Sequence, residues 1–338
     1  MKWLAHSVLR ALADGDFHSG ERLARAAGMS RASVWHAMRE LEAAGLTVYK
    51  VRGRGYRLEQ AIDLLDADAI RAALGPAAAD FTLDVLDAVE STNTALLQRA
   101  AAGAPHATVL AAERQTAGRG RMGRPWESGI GGSLTFSVLW RFHQGAGWLG
   151  GLSLAAGIAG MRVLRRYGIA DAGLKWPNDI LWRGCKLAGI LIEMHGDALG
   201  PSAAIIGMGV NVRLSGAVKD RIDRPVADVE TACGRPVQRN RLLAELLIEV
   251  GAVLERFARE GLAPLREEWR AYHVHEGCPV VLRRPDGSVE RGVAEGIADD
   301  GALLLRTSSG VQCFHSGDVS LRPDARGEPH DAAAARSR

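Results

Sequence analysis

Apolar positions in the first forty-one residues recur at helical spacing in three runs: Leu4, Val8, Leu9 and Leu12, then Leu23 and Ala27, then Val34, Met38 and Leu41. That periodicity predicts three short helices. Between the second and third, "GMSR" offers Gly28 for a sharp turn and Ser30 as the N-cap of the third helix. After Gly45 the period drops to two across "LTVYKVRGRGYRLE", predicting two short strands around Gly53 and Gly55. The layout is that of a winged helix-turn-helix. "AIDLLDADAIRAAL" then predicts a linker and a short helix, and "FTLDVLDAVESTNTALLQRAA" a strand, a polar turn and a helix. "ATVLAAERQ" predicts a strand and "LSLAAGIAGMRVL" a buried helix, while "GLKWPNDILWRGCKLAGILIEM" and "SAAIIGMGVNV" predict an antiparallel meander in which Lys175 and Lys186 begin strands. "NRLLAELLIEVGAVLERFAREG" predicts a helix capped by Asn240 and closed by Gly261, with Leu243, Leu247, Val250, Leu254 and Phe257 on one face. Four turn signals, "PDGS", "DDGA", "SSGV" and "SGDV", cut residues 277–323 into strands short enough for a small barrel.

Composition narrows the class. With 47% hydrophobic and 24% charged residues over 338 positions, the chain has the make-up of a soluble globular protein of two or three domains. It shows neither a signal-peptide pattern nor an apolar run of membrane-spanning length, so a cytoplasmic protein without a membrane partner is expected. Cys185, Cys233, Cys278 and Cys313 are scattered without a CxxC or a histidine at zinc spacing, which argues against a metal cluster or a disulfide framework. Charge is uneven: residues 1–60 hold ten Lys/Arg against six Asp/Glu, while the whole chain carries only +3. The basic character belongs to the N-terminus. Its candidate DNA contacts are Ser30, Arg31, Ser33, His36 and Arg39 on the third helix and Arg52 and Arg54 on the wing, the elements that would meet groove and phosphates. A protein-interaction module with a solvated basic hairpin is the competing reading. Trp35 could be core or base-contacting, and core is expected.

The candidate chemistry lies further on. "GRGRMGR" satisfies GxGxxG through Gly118, Gly120 and Gly123, but it runs into "PWESGIGGS", which cannot open a helix, and no acidic residue occurs between Glu127 and Asp171. A dinucleotide fingerprint is therefore excluded, and GxxxxGK[ST] has no match. What remains is a glycine-rich loop carrying Arg119, Arg121 and Arg124, suited to grasping phosphate. Ser91, Thr92 and Asn93 sit at a helix start, where they are either ordinary caps or ligand contacts. Lys175 and Lys186 can be edge-strand guards. With Asp179 and the arginines, they also make a mixed-charge cluster suited to an acyl phosphate.

"ESTN", "QTAGRGRMGRPW", "KWPNDI", "KLAGILIE" and "GMGVNV" come in an order and spacing that resembles the biotin–protein ligases. With the winged helix in front, the resemblance is to those that also act as biotin operon repressors, and it covers roughly residues 3–323. Met122 departs from it, standing where the loop often carries another basic residue.

The resemblance implies an α+β multidomain fold: a winged helix-turn-helix at 1–62, a ligase domain of mixed or antiparallel sheet with helices at 63–274 and an SH3-like small β-barrel at 275–323; the tail "DARGEPHDAAAARSR" at 324–338 departs from it and is expected to be disordered. It implies an ATP-dependent ligase that uses Mg2+ and biotin, makes biotinoyl-5'-AMP and passes biotin to a lysine of a biotin carboxyl carrier protein. It implies no tightly bound structural metal. Arg121, Lys186 and Asp179 would be catalytic, with Asp179 and Asn178 either binding metal or orienting the incoming lysine. Ser91, Thr92, Asn93, Gln115, Arg119, Gly120, Arg121 and Lys186 would hold biotin. Arg119, Arg121, Arg124, Trp126, Lys175, Asn178, Asn211 and Arg322 would hold the nucleotide. Operator DNA and a second protomer, recruited when the adenylate is bound, are the further partners implied. A lipoate–protein ligase and a ligand-sensing transcription factor without ligase activity are the alternatives.

Overall fold

The computed structural model describes residues 4–196, 200–284, 287–315 and 320–323. The expected disordered tail lies outside the described residues.

The N-terminal pattern folds as read: α1 (Leu4–Leu12), α2 (Gly20–Ala27) and α3 (Arg31–Ala43), then β1 (Val48–Val51) and β2 (Gly55–Leu58) as an antiparallel wing. Gly28 ends α2 in the left-handed region at φ 62°, and the Ser30 hydroxyl accepts from Ser33 N at 3.1 Å to start α3. Val34, Ala37, Met38 and Leu41 bury one stripe of α3 against α1. Trp35 is not in that core. It is 44% exposed, because it lies beside the stripe rather than on it.

After a linker come α4 (Ala67–Leu74), β3 (Thr82–Val89), α5 (Thr92–Ala101), β4 (Thr108–Gln115), β5 (Ser133–Phe142), α6 (Leu152–Arg166), β6 (Ala172–Lys175), β7 (Asp179–Trp182), β8 (Cys185–Gly196) and β9 (Ser202–Asn211). The strands form one sheet in the order β3-β4-β5-β9-β8-β7-β6, parallel only between β3 and β4. Two short helices, α7 (Gly216–Lys219) and α8 (Val229–Cys233), lead to α9 (Arg239–Glu260) and α10 (Arg266–Tyr272). α6 and α9 pack together in the main core, whereas Leu96 and Ala100 of α5 make a separate cluster with Leu110, Leu139, Ala203 and Ile205. The sheet is thus sandwiched between helices, which explains why β5 and β9 are buried almost throughout. Among the described residues no helix is long and apolar enough to cross a membrane.

Two local expectations change. Lys175 ends β6 instead of beginning a strand. Asn240 does not cap α9: the helix starts at Arg239, whose N–H is accepted by Asp63 at 2.6 Å from the linker, and the Asn240 amide binds Asp63 and the backbone of Leu64 and Asp66. Linker and helix start are therefore clasped. Beneath them Glu113 and Arg239, both buried, pair at 3.0 Å. Glu113 also accepts from Leu65 N at 2.9 Å and Gly131 N at 2.7 Å, and Arg239 donates to Asp63 O and Ser133 O. The carboxylate and both terminal guanidinium nitrogens are satisfied, Arg239 Nε alone of the pair is buried without a partner, and breaking the pair costs about 3–5 kcal/mol. Ile130, from the segment after the arginine loop, is buried in the core of the winged helix beside Ile62.

The last strands, β10 (Pro279–Arg283), β11 (Val289–Ile297), β12 (Leu303–Thr307), β13 (Gly310–Phe314) and β14 (Ser320–Pro323), form an antiparallel sheet in the order β13-β12-β11-β10-β14. The expected closed barrel is not formed among the described residues. β13 and β14 lie on opposite edges with no ladder between them, and closure requires the outer strands to pair.

Candidate active site

Side chains from four stretches far apart in sequence meet at one end of the large sheet. Ser91 caps α5, its hydroxyl accepting from Thr94 N at 3.4 Å, and this turns Thr92 and Asn93 inward, where both are buried. Gln115, the last residue of β4, accepts from Thr92 N at 2.7 Å and Thr92 Oγ1 at 3.1 Å. Ser137 of β5 donates to Asn93 Oδ1 at 2.6 Å and stands 2.7 Å from Thr92 Oγ1. Asn93 Nδ2 donates to Glu193 Oε2 at 2.8 Å. The result is a fixed polar wall in which each amide orientation is set by its neighbours.

The arginine loop closes over this wall. Gly120 N donates to Arg124 O at 2.7 Å, pinching the loop into a short turn over Arg121–Gly123. Arg119 reaches Thr94 Oγ1 at 2.7 Å and Glu193 at 3.1 Å, and Arg121 donates to Asn178 Oδ1 at 3.3 Å. The Arg124 side chain is exposed. Asn178 in turn donates to Ile190 O at 2.7 Å. Lys186 Nζ lies 2.6 Å from Asp179 Oδ1 and 5.5 Å from the centre of the Trp126 ring.

Glycines make the room. A side chain at Gly207 would run into the Asn93 amide, one at Gly209 into the Trp126 ring, and one at Gly189 would stand 2.9 Å from Lys186 Nζ. β8 and β9 therefore lack side chains where the polar wall, indole and ammonium converge. The indole N–H of Trp126 is buried without a hydrogen-bond partner, a donor facing a site built for acceptors.

Around this centre, burial foremost lowers the pKa of Lys175; Asp179 opposes the shift, and Arg322, Lys186 and Arg224 add to it. Arg322, exposed on β14, is thus within electrostatic reach of Lys175. Asn211 is fully buried and donates to Lys186 O and Ala227 O, so it holds the backbone of Lys186. His273 and His275, beside the end of β6, are pushed by burial down to about 4, with Lys175 also pressing on His275. The described residues contain no cluster of three or more His, Cys, Asp or Glu able to hold a metal.

On the winged helix, Ser30 and Ser33 are engaged with each other at the start of α3, whereas Arg31, His36 and Arg39 are exposed along it. Arg52 and Arg54 are exposed on the wing, with Arg54 stacked 4.2 Å from the centre of Phe17. Sequence reasoning missed Ser137 and Glu193 in the wall and Glu113 beneath it. Ser137 had a signal: Ser133, Thr135 and Ser137 alternate with apolar residues through the first half of β5, and buried hydroxyls at period two need partners.

Residues 85–211 match the Biotin/lipoate A/B protein ligase family, residues 275–322 the Biotin protein ligase C terminal domain, and residues 5–57 an HTH domain. The bifunctional ligase/repressor BirA of Salmonella typhimurium is 38% identical over 316 residues, covering 94% of this chain and 97% of that protein. The bifunctional ligase/repressor BirA of Bacillus subtilis is 31% identical over 310 residues, covering 91% and 95%. A biotin protein ligase from Aquifex aeolicus, solved with biotin and ATP, superposes with a TM-score of 0.62 at 28% identity, covering 72% of this chain and 99% of that one. With motifs, domain order and nearly the full length of both chains in agreement, this chain belongs to the biotin–protein ligase family, among its bifunctional ligase/repressors.

Proposed function

We propose that the chain couples biotin to ATP and then to a lysine of a biotin carboxyl carrier protein. The observation that carries this reading is the convergence of Arg121, Lys186 and Asp179 with Trp126 over Gly189 of β8 and Gly209 of β9. In the first step a carboxylate oxygen of biotin attacks the α-phosphorus of ATP; the bond to the bridging oxygen breaks and pyrophosphate leaves. In the second, the carrier lysine attacks the acyl carbon of biotinoyl-5'-AMP, the acyl–oxygen bond breaks and AMP leaves. Both steps load negative charge on phosphate oxygens, which fixed cations stabilise.

Arg121 and Lys186 supply those cations. Asp179 orients Lys186 and is placed to take the proton of the attacking lysine. Ser91, Thr92, Asn93 and Gln115 hold the ureido end of biotin, with Arg119 and Gly120 closing over it. Trp126 offers its ring and unpaired N–H to the adenylate, and Arg124, Lys175, Asn178, Asn211 and Arg322 bound the nucleotide. Mg2+ comes with ATP, since that ion needs only one or two carboxylates when phosphates and water complete its shell.

In the same reading, residues 1–62 bind operator DNA, residues 63–274 carry the chemistry, and residues 275–323 border the nucleotide. Biotinoyl-5'-AMP acts as corepressor by favouring a homodimer on two half-sites. Incubation with biotin, ATP and a carrier domain is expected to yield the mass of one biotinylated lysine. No transfer of biotin would leave a sensing repressor, and preference for lipoate would leave a lipoate ligase. For repression, sedimentation and operator binding are compared with and without the adenylate. A chain that stays monomeric and binds DNA equally in both states would remove the repressor role alone.

A further inference from the structure

Trp35 stands outside every core cluster, yet it is not a stray apolar residue. Arg31, Trp35 and Arg39 follow at intervals of four along α3, so they form one ridge on the helix, and all three are exposed. The Arg39 guanidinium lies 5.2 Å from the centre of the indole, and the His36 ring meets it edge-on at 5.0 Å. Both contacts favour this placement of the indole on the surface. Arg31, at the start of the ridge, also lines a groove of about 650 Å³ between α3 and the wing, together with Val34, Lys50, Arg52 and Arg54.

We propose that Trp35 is the specificity-determining residue of α3 and that its indole packs against the C5-methyl group of a thymine in the major groove of the operator. This rests on the repressor reading. A protein partner would be expected to meet an apolar patch, but the neighbours of Trp35 along the ridge are cations, and Arg31, Lys50, Arg52 and Arg54 bring four positive groups to the groove wall, with no acidic residue among the described residues that line it. The occupant these charges fit is a polyanion. In duplex DNA the thymine methyl is the one apolar group that the major-groove edges of the bases present, and it distinguishes A·T from T·A and from both G·C orientations. Arg31, Arg39 and the wing cations contact phosphates or purine edges and hold the helix in register. Trp35 then reads one position by shape and hydrophobicity.

The test needs an operator, obtained by selecting random duplexes with the full-length protein in the presence of biotin and MgATP. Each thymine of the selected site is replaced in turn by deoxyuridine, which removes only the methyl group. The wild-type protein should lose about fourfold in affinity at one position per half-site, the worth of one methyl leaving water. Trp35→Ala, its folding checked by its unfolding transition, should bind the thymine and uracil duplexes equally, and Trp35→Phe should restore part of the preference. Undiminished methyl discrimination by Trp35→Ala, or indifference of the wild type to every methyl, would overturn the proposal while leaving repression intact. A Trp35→Ala variant that loses self-association but keeps the discrimination would make Trp35 a protein contact and overturn it equally. Failure to select any sequence would remove the repressor reading and the proposal together.

Discussion

Arg121 is the residue whose loss is most informative, because its guanidinium donates to Asn178, next to the Asp179 carboxylate that pairs with Lys186 beside Trp126. Arg121→Gly should speed dissociation of biotinoyl-5'-AMP roughly 10- to 150-fold, the loss of one charge-assisted contact, with a smaller effect on adenylate formation. Released adenylate should then label exposed lysines without selection. Wild-type retention, measured as the adenylate dissociation rate, would contradict the role. A second residue-scale prediction concerns His273 and His275, both held near 4 against an ordinary 6.5. Below 6.5 the unfolded chain takes up protons that the folded chain refuses, so stability is complete above that pH and falls as the pH drops toward 4. The slope is on the order of 1 kcal/mol per pH unit for each ring. Unfolding transitions at pH 7 and pH 5 should separate less in a His273→Gln/His275→Gln variant than in the wild type. The loop arginines, Lys186 and Asp179 were legible in the sequence because glycines and charges in a fixed local spacing announce them. Ser137 and Glu113 were not, since their partners lie 44 and 126 positions away and only the fold makes them neighbours.

At the scale of elements, β9 carries two glycines that serve different parts of the site. Gly207→Ala should displace Asn93 and raise the KM for biotin, whereas Gly209→Ala should displace Trp126 and raise the KM for ATP. Each effect should be roughly 5- to 150-fold, the range set by overpacking a rigid site. Steady-state kinetics with each substrate varied in turn would show the split, and equal effects of both variants on both constants would refute it. Helices and strands were readable from periodicity, but their ends depended on distant groups. Asn240 looked like the cap of α9, yet the N–H of Arg239 is satisfied by Asp63, 176 positions earlier. Trp35 looked like core by composition, and only its angular offset from Val34, Ala37, Met38 and Leu41 on the helix places it outside. The C-terminal strands were visible from their turns, but turn signals do not encode which strands become edges.

For the whole molecule, the order of a DNA-reading unit, a central sheet and a small terminal sheet was legible, and the joint between the first two was not. Basic readout and catalytic cations suggest separable units. The structure instead buries Ile130 in the winged helix and stacks Ile62 against Gly131. Deleting residues 1–62 should therefore abolish DNA binding and also raise the KM for biotin roughly tenfold, because uncovering one large apolar side chain loosens the loop end. Turnover at saturating biotin should survive; its loss from a truncated chain that keeps its fold would show that the two parts work only as one. The Glu113 carboxylate has a geometric consequence as well. By accepting from Leu65 in the linker and Gly131 after the loop at once, it fixes the direction of the winged helix relative to the sheet. In the proposed homodimer, tethered readers would follow half-sites to varied separations, whereas two readers fixed in this way would act as a caliper with one opening. Adding about five base pairs between half-sites, half a turn of the duplex, should turn one recognition helix away from its target and reduce binding to the level of unrelated DNA.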